Sequence, residues 1–239
     1  MKRHPLSRRA FLGVAAASAA ALPGCETIIR GKAPVSQAPI SHWPDQVYRR
    51  FSVDIHVPDW DPALLSHFDE AQYVECMAKA GNQSLLQYTN SHVGLCLWRT
   101  AIGERHAALG ERDFFGEVVA QCRKHAIHPL GYYSIIHDNW AFEHHDDWRV
   151  HYVDGNVPRG RYGLVCPNSP YRDFVFACVK EIASSYDIDG MFFDMTFWPL
   201  ICYCHHCAER FRNEYGGDLP RIVDWDDPGW RAFHAARER

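Results

Sequence analysis

Residues 189–207 read DGMFFDMTFWPLICYCHHC, and this stretch decides the fold. Its first part, residues 190–195, is a short apolar run that carries one carboxylate, Asp194, near its end. A run of this length and composition is typical of a buried strand in a parallel sheet. Its second part has the pattern Cys-x-Cys-x-x-Cys at 202–207. The stretch therefore predicts a strand that ends at an acid and is followed directly by a group of metal-ligating thiols.

The chain before and after this stretch alternates strand patterns with helix patterns. Apolar or alternating runs predict four strands, at residues 51–57, 84–89, 130–136 and 191–195. Capping residues mark helix starts, at Asp69, Asp113, Ser169 and Asp227. Short strands joined by helical crossovers predict an α/β protein with a parallel sheet.

The number of these units predicts part of a barrel. A (β/α)8 TIM barrel needs about 250 residues for eight strand–helix units. Residues 47–239 contain four such units. We therefore expect residues 47–239 to form the amino-terminal half of a (β/α)8 TIM barrel, which would be incomplete.

The amino terminus has the pattern of an export signal. Residues 7–13 read SRRAFLG, with paired arginines before an apolar run at 14–22 that is too short for a membrane span. This pattern resembles a bacterial twin-arginine signal, so residues 1–25 predict export to the periplasm, the cell surface or the medium. The end of this segment resembles a lipoprotein box except for its proline, and a lipid anchor at Cys25 stays open. Residues 26–46 have the composition of a linker.

Composition restricts the classes of partner. The formal net charge is −4, and the sequence has no cluster of basic residues. This excludes the broad positive field that nucleic-acid binding requires. Aromatic residues make up 13% of the chain, which suits either sugar stacking or an aromatic core.

Asp194 is the strongest candidate for a catalytic residue. The carboxyl ends of barrel strands carry the active sites of TIM-barrel enzymes. Glycoside hydrolysis uses two carboxylates on either side of the scissile bond, and Asp194 could supply one. The alternative is a structural carboxylate that accepts hydrogen bonds from loop amides. Asp189 precedes the same strand, so we expect it at the opposite end of the barrel.

The thiol pattern predicts a structural zinc site. Zinc in structural sites takes four thiolate or imidazole ligands, and we expect Cys166 to complete the set of Cys202, Cys204 and Cys207. His205 or His206 is the alternative fourth ligand. The alternative interpretation is that, in an exported protein, these cysteines form disulfides or stay as free thiols. The remaining cysteines on helix faces are predicted to be inert core residues, namely Cys76, Cys122 and Cys178.

Polar and aromatic residues after the strands predict a ligand-binding cleft. Asp54, His56 and His92 allow two interpretations, hydrogen bonding to sugar hydroxyls or metal binding in a deacetylase or amidase. The predicted substrate contacts are His56, His92, Tyr133, His137 and Trp198.

Four segments carry a resemblance to a known family. They are His92-Val93-Gly94, GYYS at 131–134, CPNSPYR at 166–172 and DGMFFD at 189–194. In this order they resemble the hypothetical glycosyl hydrolase 6 family, which is similar to the alpha-L-fucosidases of glycoside hydrolase family 29. The resemblance implies a carbohydrate substrate, a nucleophilic role for Asp194 and sugar contacts near His56 and His92.

Two features differ from this pattern. Where the relatives have the motif His-His-Gly, this sequence has His-Val-Gly at residues 92–94. The sugar contact expected from the second histidine is therefore missing. The cysteine pattern resembles that of family 42 beta-galactosidases, in which similar cysteines bind structural zinc. In those enzymes the fourth-strand carboxylate is the general acid/base, so the role of Asp194 as nucleophile or proton donor stays open.

These observations predict an exported glycoside hydrolase that uses a retaining mechanism. The sequence offers no second catalytic carboxylate, so we expect the chain by itself to be inactive. Two other functions stay open: a non-catalytic carbohydrate-binding or degenerate protein, and a metal-dependent deacetylase or amidase.

Overall fold

A computed structural model of the chain describes residues 42–237. The predicted export signal, including Cys25, lies outside the described residues, as does the predicted linker up to residue 41. A short helix, α1 (Trp43–Gln46), occupies the last residues assigned to the linker. Within residues 42–237, none of the helices combines the length and the apolar character that crossing a membrane requires.

The centre of the fold is a parallel sheet of four strands. The strands are β1 (Arg50–Ser52), β2 (Ser84–Tyr88), β3 (His128–Ser134) and β4 (Gly190–Asp194). They are ordered β1-β2-β3-β4, and every neighbouring pair is parallel. Leu86 of β2 is in register with Leu130 of β3, and Ser134 of β3 with Asp194 of β4. The predicted α/β class and the four strand–helix units are confirmed.

Helices connect and follow the strands. The longer helices are α2 (Glu70–Lys79), α3 (Phe114–Lys124), α5 (Tyr171–Ser185), α6 (His205–Tyr215) and α7 (Pro228–Ala236). The long connection after β3 contains α4 (Asn139–His144) and a 3-10 helix at Asp146–Trp148, and a further 3-10 helix spans Ala107–Leu109.

Side-chain caps fix where α2, α3, α4 and α7 begin. The Asp69 carboxylate accepts a hydrogen bond from the Gln72 amide at 2.8 Å, and Asp113 accepts one from the Gly116 amide at 3.1 Å. Such caps satisfy amides that have no partner within the helix. Helix α5 begins one residue later than predicted, at Tyr171 after Pro170. The Ser169 hydroxyl still lies at the helix start, where it accepts a hydrogen bond from the Tyr171 amide at 3.3 Å and donates to the Cys166 carbonyl at 2.6 Å.

The first strand is shorter than predicted. The alternating pattern at 51–57 predicts a seven-residue strand, but only Arg50–Ser52 pairs with β2. The apolar residues of the remaining segment, Val53, Ile55 and Val57, pack against Tyr88 and Tyr132 instead of extending the ladder. Asp54 and His56 therefore lie in a loop beyond the strand end.

The core lies between the sheet and its helices. Val74 of α2 and Val118 of α3 are fully buried against Leu85 of β2. Cys122 and Cys178 are also buried in core clusters, as predicted. Cys76 is exposed, so its prediction as a core residue was wrong. It lies two residues after Val74 on α2, and at 3.6 residues per turn this spacing places the two side chains on nearly opposite faces.

Candidate functional site

The site lies where the strands end. Because all four strands are parallel, their carboxyl ends meet at one edge of the sheet, and active sites of such sheets lie there. Tyr88 ends β2, Asp194 ends β4, and Tyr132 lies two residues before the end of β3. His92 and His137 follow β2 and β3 within four residues. The topology therefore brings polar side chains from separate parts of the sequence together.

Asp194 accepts hydrogen bonds on both oxygens. The Tyr132 hydroxyl donates to Oδ2 at 2.5 Å, and the Met195 amide donates to Oδ1 at 2.8 Å. Met195 has a φ of 58°, a left-handed conformation that is uncommon for a residue with a side chain. The turn at Met195 therefore points its own amide at the carboxylate. The Asp194 side chain is still 34% exposed, so a ligand can reach it.

Tyr132 stacks on a second tyrosine. The rings of Tyr88 and Tyr132 are nearly parallel, with centroids 3.7 Å apart, and the Tyr88 hydroxyl donates to Asp54 Oδ1 at 2.9 Å. Burial, followed by the hydrogen bond to Asp194, raises the pKa of Tyr132 well above its usual range. Burial, followed by the hydrogen bond to Asp54, raises the pKa of Tyr88 likewise. Both tyrosines therefore stay protonated and act as hydrogen-bond donors.

Three histidines and one tyrosine surround the space beside Asp194. The ring of His92 lies 4.3 Å from that of His56 and 5.0 Å from that of His137, measured between centroids. The Tyr162 ring contacts all three imidazoles at 4.9–6.0 Å. We call Asp194, His56, His92, His137 and Tyr162 the Asp194 cluster.

Backbone contacts with α4 hold His92 in this cluster. The amide of Asn139 donates to the His92 carbonyl at 3.0 Å, and that of Trp140 donates to the Val93 carbonyl at 3.1 Å. The loop then turns at Gly94, whose φ is 86° and whose missing Cβ would collide with the Asp138 carboxylate. Glycine is the residue that tolerates both conditions, so the loop after β2 fits closely against the start of α4.

The hydrogen bonds of His92 define its tautomer. The Ser134 hydroxyl donates to the His137 carbonyl at 2.9 Å, so it can only accept from His92 Nδ1, which lies 2.7 Å away. His92 therefore carries its proton on Nδ1 and presents a free Nε2 lone pair, 3.9 Å from Asp194 Oδ2. Burial, then the neighbouring His56 and His137, lowers the pKa of His92 to about 4. His92 is thus a neutral acceptor at pH 7.

His56 and His137 also face the cluster. The His56 Nδ1 accepts from the His92 amide at 3.3 Å, which leaves its Nε2 proton to donate to Asp54 Oδ1 at 2.8 Å. Burial lowers the pKa of His137, and its Nδ1 has no hydrogen-bond partner among residues 42–237. The histidines thus offer both donors and acceptors to a polar ligand.

The structure brings together four of the six residues predicted for catalysis and substrate binding: Asp194, His56, His92 and His137. Tyr133 does not belong to the site. It is 1% exposed and packs in the core with Trp98 and Tyr171. Successive side chains of a strand point to opposite faces, so Tyr132, and not Tyr133, reaches Asp194. Trp198 packs against the four-cysteine group described below, and its contact with sugar stays a prediction.

Other residues of the site carry weaker signals in the sequence. Tyr88 lies one residue, and Ser134 two residues, before the end of its predicted strand, and this position is the signal that could identify them. Tyr162 lies in the long connection between β3 and α5, where no periodic pattern indicates which side chains fold back over the sheet.

The side-chain atoms that could bind a metal ion come together away from Asp54, His56 and His92. Within residues 42–237, two groups bring at least three such atoms within 4.8 Å of one another, and the set of Asp54, His56 and His92 is neither of them. Both nitrogens of His56 are already engaged in hydrogen bonds. This arrangement does not favour the deacetylase or amidase interpretation.

One of these groups is the predicted set of four cysteines, Cys166, Cys202, Cys204 and Cys207. All four are buried and free of disulfides, and the Cys166 sulfur lies 3.4 Å from that of Cys207 and 3.6 Å from that of Cys204. Zinc–sulfur bonds of about 2.3 Å in a tetrahedron place sulfurs roughly 3.8 Å apart, so the set fits this ion. The Asn168 side chain donates to the Cys207 sulfur at 3.4 Å, a supporting contact typical of metal sites.

Known proteins share the sequence pattern and the fold of this chain. The model of the hypothetical glycosyl hydrolase 6 family matches residues 69–195. The search of curated proteins gave no match. Alpha-L-fucosidase isoenzyme 2 from Paenibacillus thiaminolyticus has a similar structure, with a TM-score of 0.67 and 21% identity over 80% of this chain and 29% of that one.

Two further fucosidase structures also match parts of this chain, with lower TM-scores. The Thermotoga maritima alpha-fucosidase in complex with fucose has a TM-score of 0.42 and 24% identity, over 56% of this chain and 30% of that one. A trapped covalent intermediate of the family 29 alpha-L-fucosidase from Bacteroides thetaiotaomicron has a TM-score of 0.43 and 22% identity, over 57% of this chain and 29% of that one.

The chain spans less than a third of the length of these fucosidases. Its four-stranded parallel sheet with helical crossovers corresponds to part of the fucosidase TIM-barrel domain, as the Paenibacillus enzyme shows. The sequence match extends from the cap of α2 to the residue after Asp194. The chain belongs to the hypothetical glycosyl hydrolase 6 family.

Proposed function

We propose that Asp194 is the catalytic nucleophile of a retaining glycoside hydrolase that acts on fucose or a related sugar and is exported by the twin-arginine route. The observation that carries the proposal is the position of Asp194 at the end of β4, with its carboxylate bonded on both oxygens and facing the histidines of the cluster. The similarity in fold to an alpha-L-fucosidase supports the substrate class.

The hydrogen bonds support a nucleophile over a proton donor. A nucleophilic carboxylate has to be ionised, whereas a general acid has to carry a proton. Tyr132 and Met195 donate to the two oxygens of Asp194, so both oxygens act as hydrogen-bond acceptors, as the oxygens of a nucleophilic carboxylate do. The free lone pair on His92 Nε2 could accept a hydrogen bond from a sugar hydroxyl bound beside Asp194.

The reaction would proceed in two displacements. An Asp194 oxygen would form a bond to the anomeric carbon while the bond to the leaving oxygen breaks and that oxygen receives a proton from a second carboxylic acid. Water, deprotonated by the same second group, would then displace Asp194 and release the sugar. Asp54 is engaged with Tyr88 and His56, so the proposal assigns the second carboxylate to barrel units other than these four. The chain alone is then expected to be inactive.

The four cysteines would hold a structural zinc ion. Their donor set, their burial and the separation of their sulfurs support this assignment. The ion would link the loop after β4 to the segment before α5. Because Asp194 ends β4, this link would restrict the movement of the loop that follows Asp194.

Chemical rescue tests the nucleophile. The protein, expressed from its full coding sequence, is assayed on aryl glycosides that include an aryl α-L-fucoside. Asp194→Gly should lower kcat/KM by on the order of 10⁴-fold. Azide should restore turnover and give a glycosyl azide of inverted configuration, because the small anion occupies the space of the carboxylate. Asp218→Gly, the same substitution at an exposed carboxylate after α6, should need no azide.

The other outcomes separate the alternatives. Activity that survives in Asp194→Gly would exclude the nucleophile. A glycosyl azide of retained configuration from Asp194→Gly would favour a proton-donor role instead, because azide would then displace a glycosyl-enzyme formed on a different carboxylate. Sugar binding without turnover in the wild-type protein would indicate a carbohydrate-binding protein.

A further inference from the structure

A second group of metal-ligating side chains lies on the surface beside the cysteines. His205 and His206 are the first two residues of α6, and Asp147 belongs to the 3-10 helix at Asp146–Trp148. His205 Nε2 lies 3.2 Å from Asp147 Oδ1, and His206 Nε2 lies 2.9 Å from Asp147 Oδ2. We call these three residues the surface triad.

The backbone holds the triad in place. Cys204 and Cys207 flank the two histidines in the sequence, and both belong to the buried cysteine group. The Cys166 amide donates to the Trp148 carbonyl at 2.7 Å, so the same group is joined to the residue after Asp147. The two elements that carry the ligands are thereby fixed relative to each other, and a pre-organised ligand set loses less entropy when it binds an ion.

We propose that the surface triad binds a divalent cation of the zinc type at a site separate from the four thiols. Two imidazoles and a carboxylate are a ligand set that zinc accepts, and three protein ligands leave a coordination position for water. All three ligand atoms lie within 4.8 Å of one another. The four thiols already complete a tetrahedral set, so neither histidine is needed there.

Charge and exposure agree with this assignment. The amino-terminal end of a helix disfavours a nearby cation, and the Asp147 carboxylate supplies a compensating negative charge. His205 and Asp147 are largely exposed, whereas the His206 side chain is mostly buried. An ion can therefore enter from solvent while one ligand stays rigid. The bound ion would link the connection after β3 to the start of α6.

Zinc stoichiometry tests the proposal on the full 239-residue chain. Equilibrium dialysis against Zn²⁺ compares the wild-type protein with His206→Ala and Asp147→Asn. The control is His67→Ala, which removes an exposed histidine outside the triad. The wild-type protein and the control should bind one more equivalent of zinc than either triad variant. Equal stoichiometry in all four proteins would overturn the proposal.

Substitution with Co²⁺ separates the two sites and reports on folding. Charge-transfer bands from thiolate to cobalt should be unchanged in His206→Ala and Asp147→Asn, because the cysteine site is intact. Loss of these bands in both variants would show that the triad residues serve the cysteine site, and this result would also overturn the proposal.

Discussion

Tyr132 orients Asp194 through a single hydroxyl group. A hydrogen bond to a charged group contributes about 1.5–3 kcal/mol, and this one is short and partly buried. Tyr132→Phe removes the hydroxyl and keeps the ring stacked on Tyr88. We expect kcat/KM for the aryl glycoside to fall roughly 10- to 100-fold. Tyr88→Phe is the matched control, since its hydroxyl bonds Asp54, and a similar loss in both variants would contradict the assignment.

His92 should make the protein sensitive to mild acid. Its pKa in the folded protein is about 4, below the ordinary 6.5, so the unfolded chain binds more protons between these values. Stability is therefore unaffected by this group above about pH 6.5 and falls as the pH decreases toward 4. The expected loss is on the order of 2 kcal/mol.

Urea unfolding between pH 7.5 and 4 measures this loss. His92→Asn keeps a donor toward Ser134 but does not titrate, so its stability should depend less on pH across the same range. An equal pH dependence in the two proteins would show that His92 is not responsible.

At the residue scale, the sequence predicts which kinds of side chain gather at the strand ends but not every member. Asp194, His56, His92 and His137 could be predicted because each follows or ends a strand. The prediction of Tyr133 as a substrate contact was wrong, because successive side chains of a strand point to opposite faces and Tyr133 points into the core. Tyr162 could not be predicted, because its position depends on how an irregular loop folds back.

The loop between β4 and α6 and the segment before α5 are joined by the cysteine group. Cys166→Ser removes one of the four proposed zinc ligands. We expect the wild-type protein to purify with one tightly bound zinc ion, and the variant to lose that ion and to unfold at a temperature about 5–10 °C lower. Metal analysis and thermal unfolding measure the two effects. Cys76→Ser, which alters an exposed cysteine, is the control and should change neither. Zinc retained at full stoichiometry by Cys166→Ser would contradict the site.

At the element scale, the sequence predicts helices better than strands. Asp69, Asp113 and Asp227 cap helices as predicted, because a cap depends on contacts within a few residues. The extent of β1 depends on its partner β2, so the alternation at 51–57 did not reveal that pairing stops after three residues. That Cys166 lies with the other three cysteines could be predicted, because it closely precedes α5, which leads into β4. Its role as a zinc ligand stays a prediction.

Across the whole molecule, β4 presents an apolar edge. Among residues 42–237, β4 pairs only with β3, and Phe192 and Phe193 are 50% and 39% exposed. Exposed strand edges with large apolar side chains promote association between chains. We expect the 239-residue chain to self-associate as its concentration rises.

Light scattering tests this expectation. Phe193→Glu should reduce the association, because it places a charge on the edge strand. Phe176→Glu makes the same change at an exposed position on α5, and it should leave association unchanged. An equal effect of both variants would show that general charge, and not the β4 edge, controls association.

At the scale of the whole molecule, the fold class could be predicted from the order of strand and helix patterns along the chain alone. Four strand patterns alternate with four helix patterns, and right-handed crossovers then favour one parallel sheet. The arrangement of the loops over the sheet could not be predicted, because it depends on contacts between distant residues such as His92 and Ser134.

Covalent trapping of Asp194 tests the central claim most directly. The protein, expressed with its full coding sequence, is incubated with a 2-deoxy-2-fluoro glycosyl fluoride, which forms a slowly hydrolysed ester with a nucleophilic carboxylate. Peptide mass spectrometry should then find one sugar adduct, on the peptide that contains Asp194 and at that residue. An adduct on a different carboxylate, or inactivation with Asp194 unlabelled, would contradict the account.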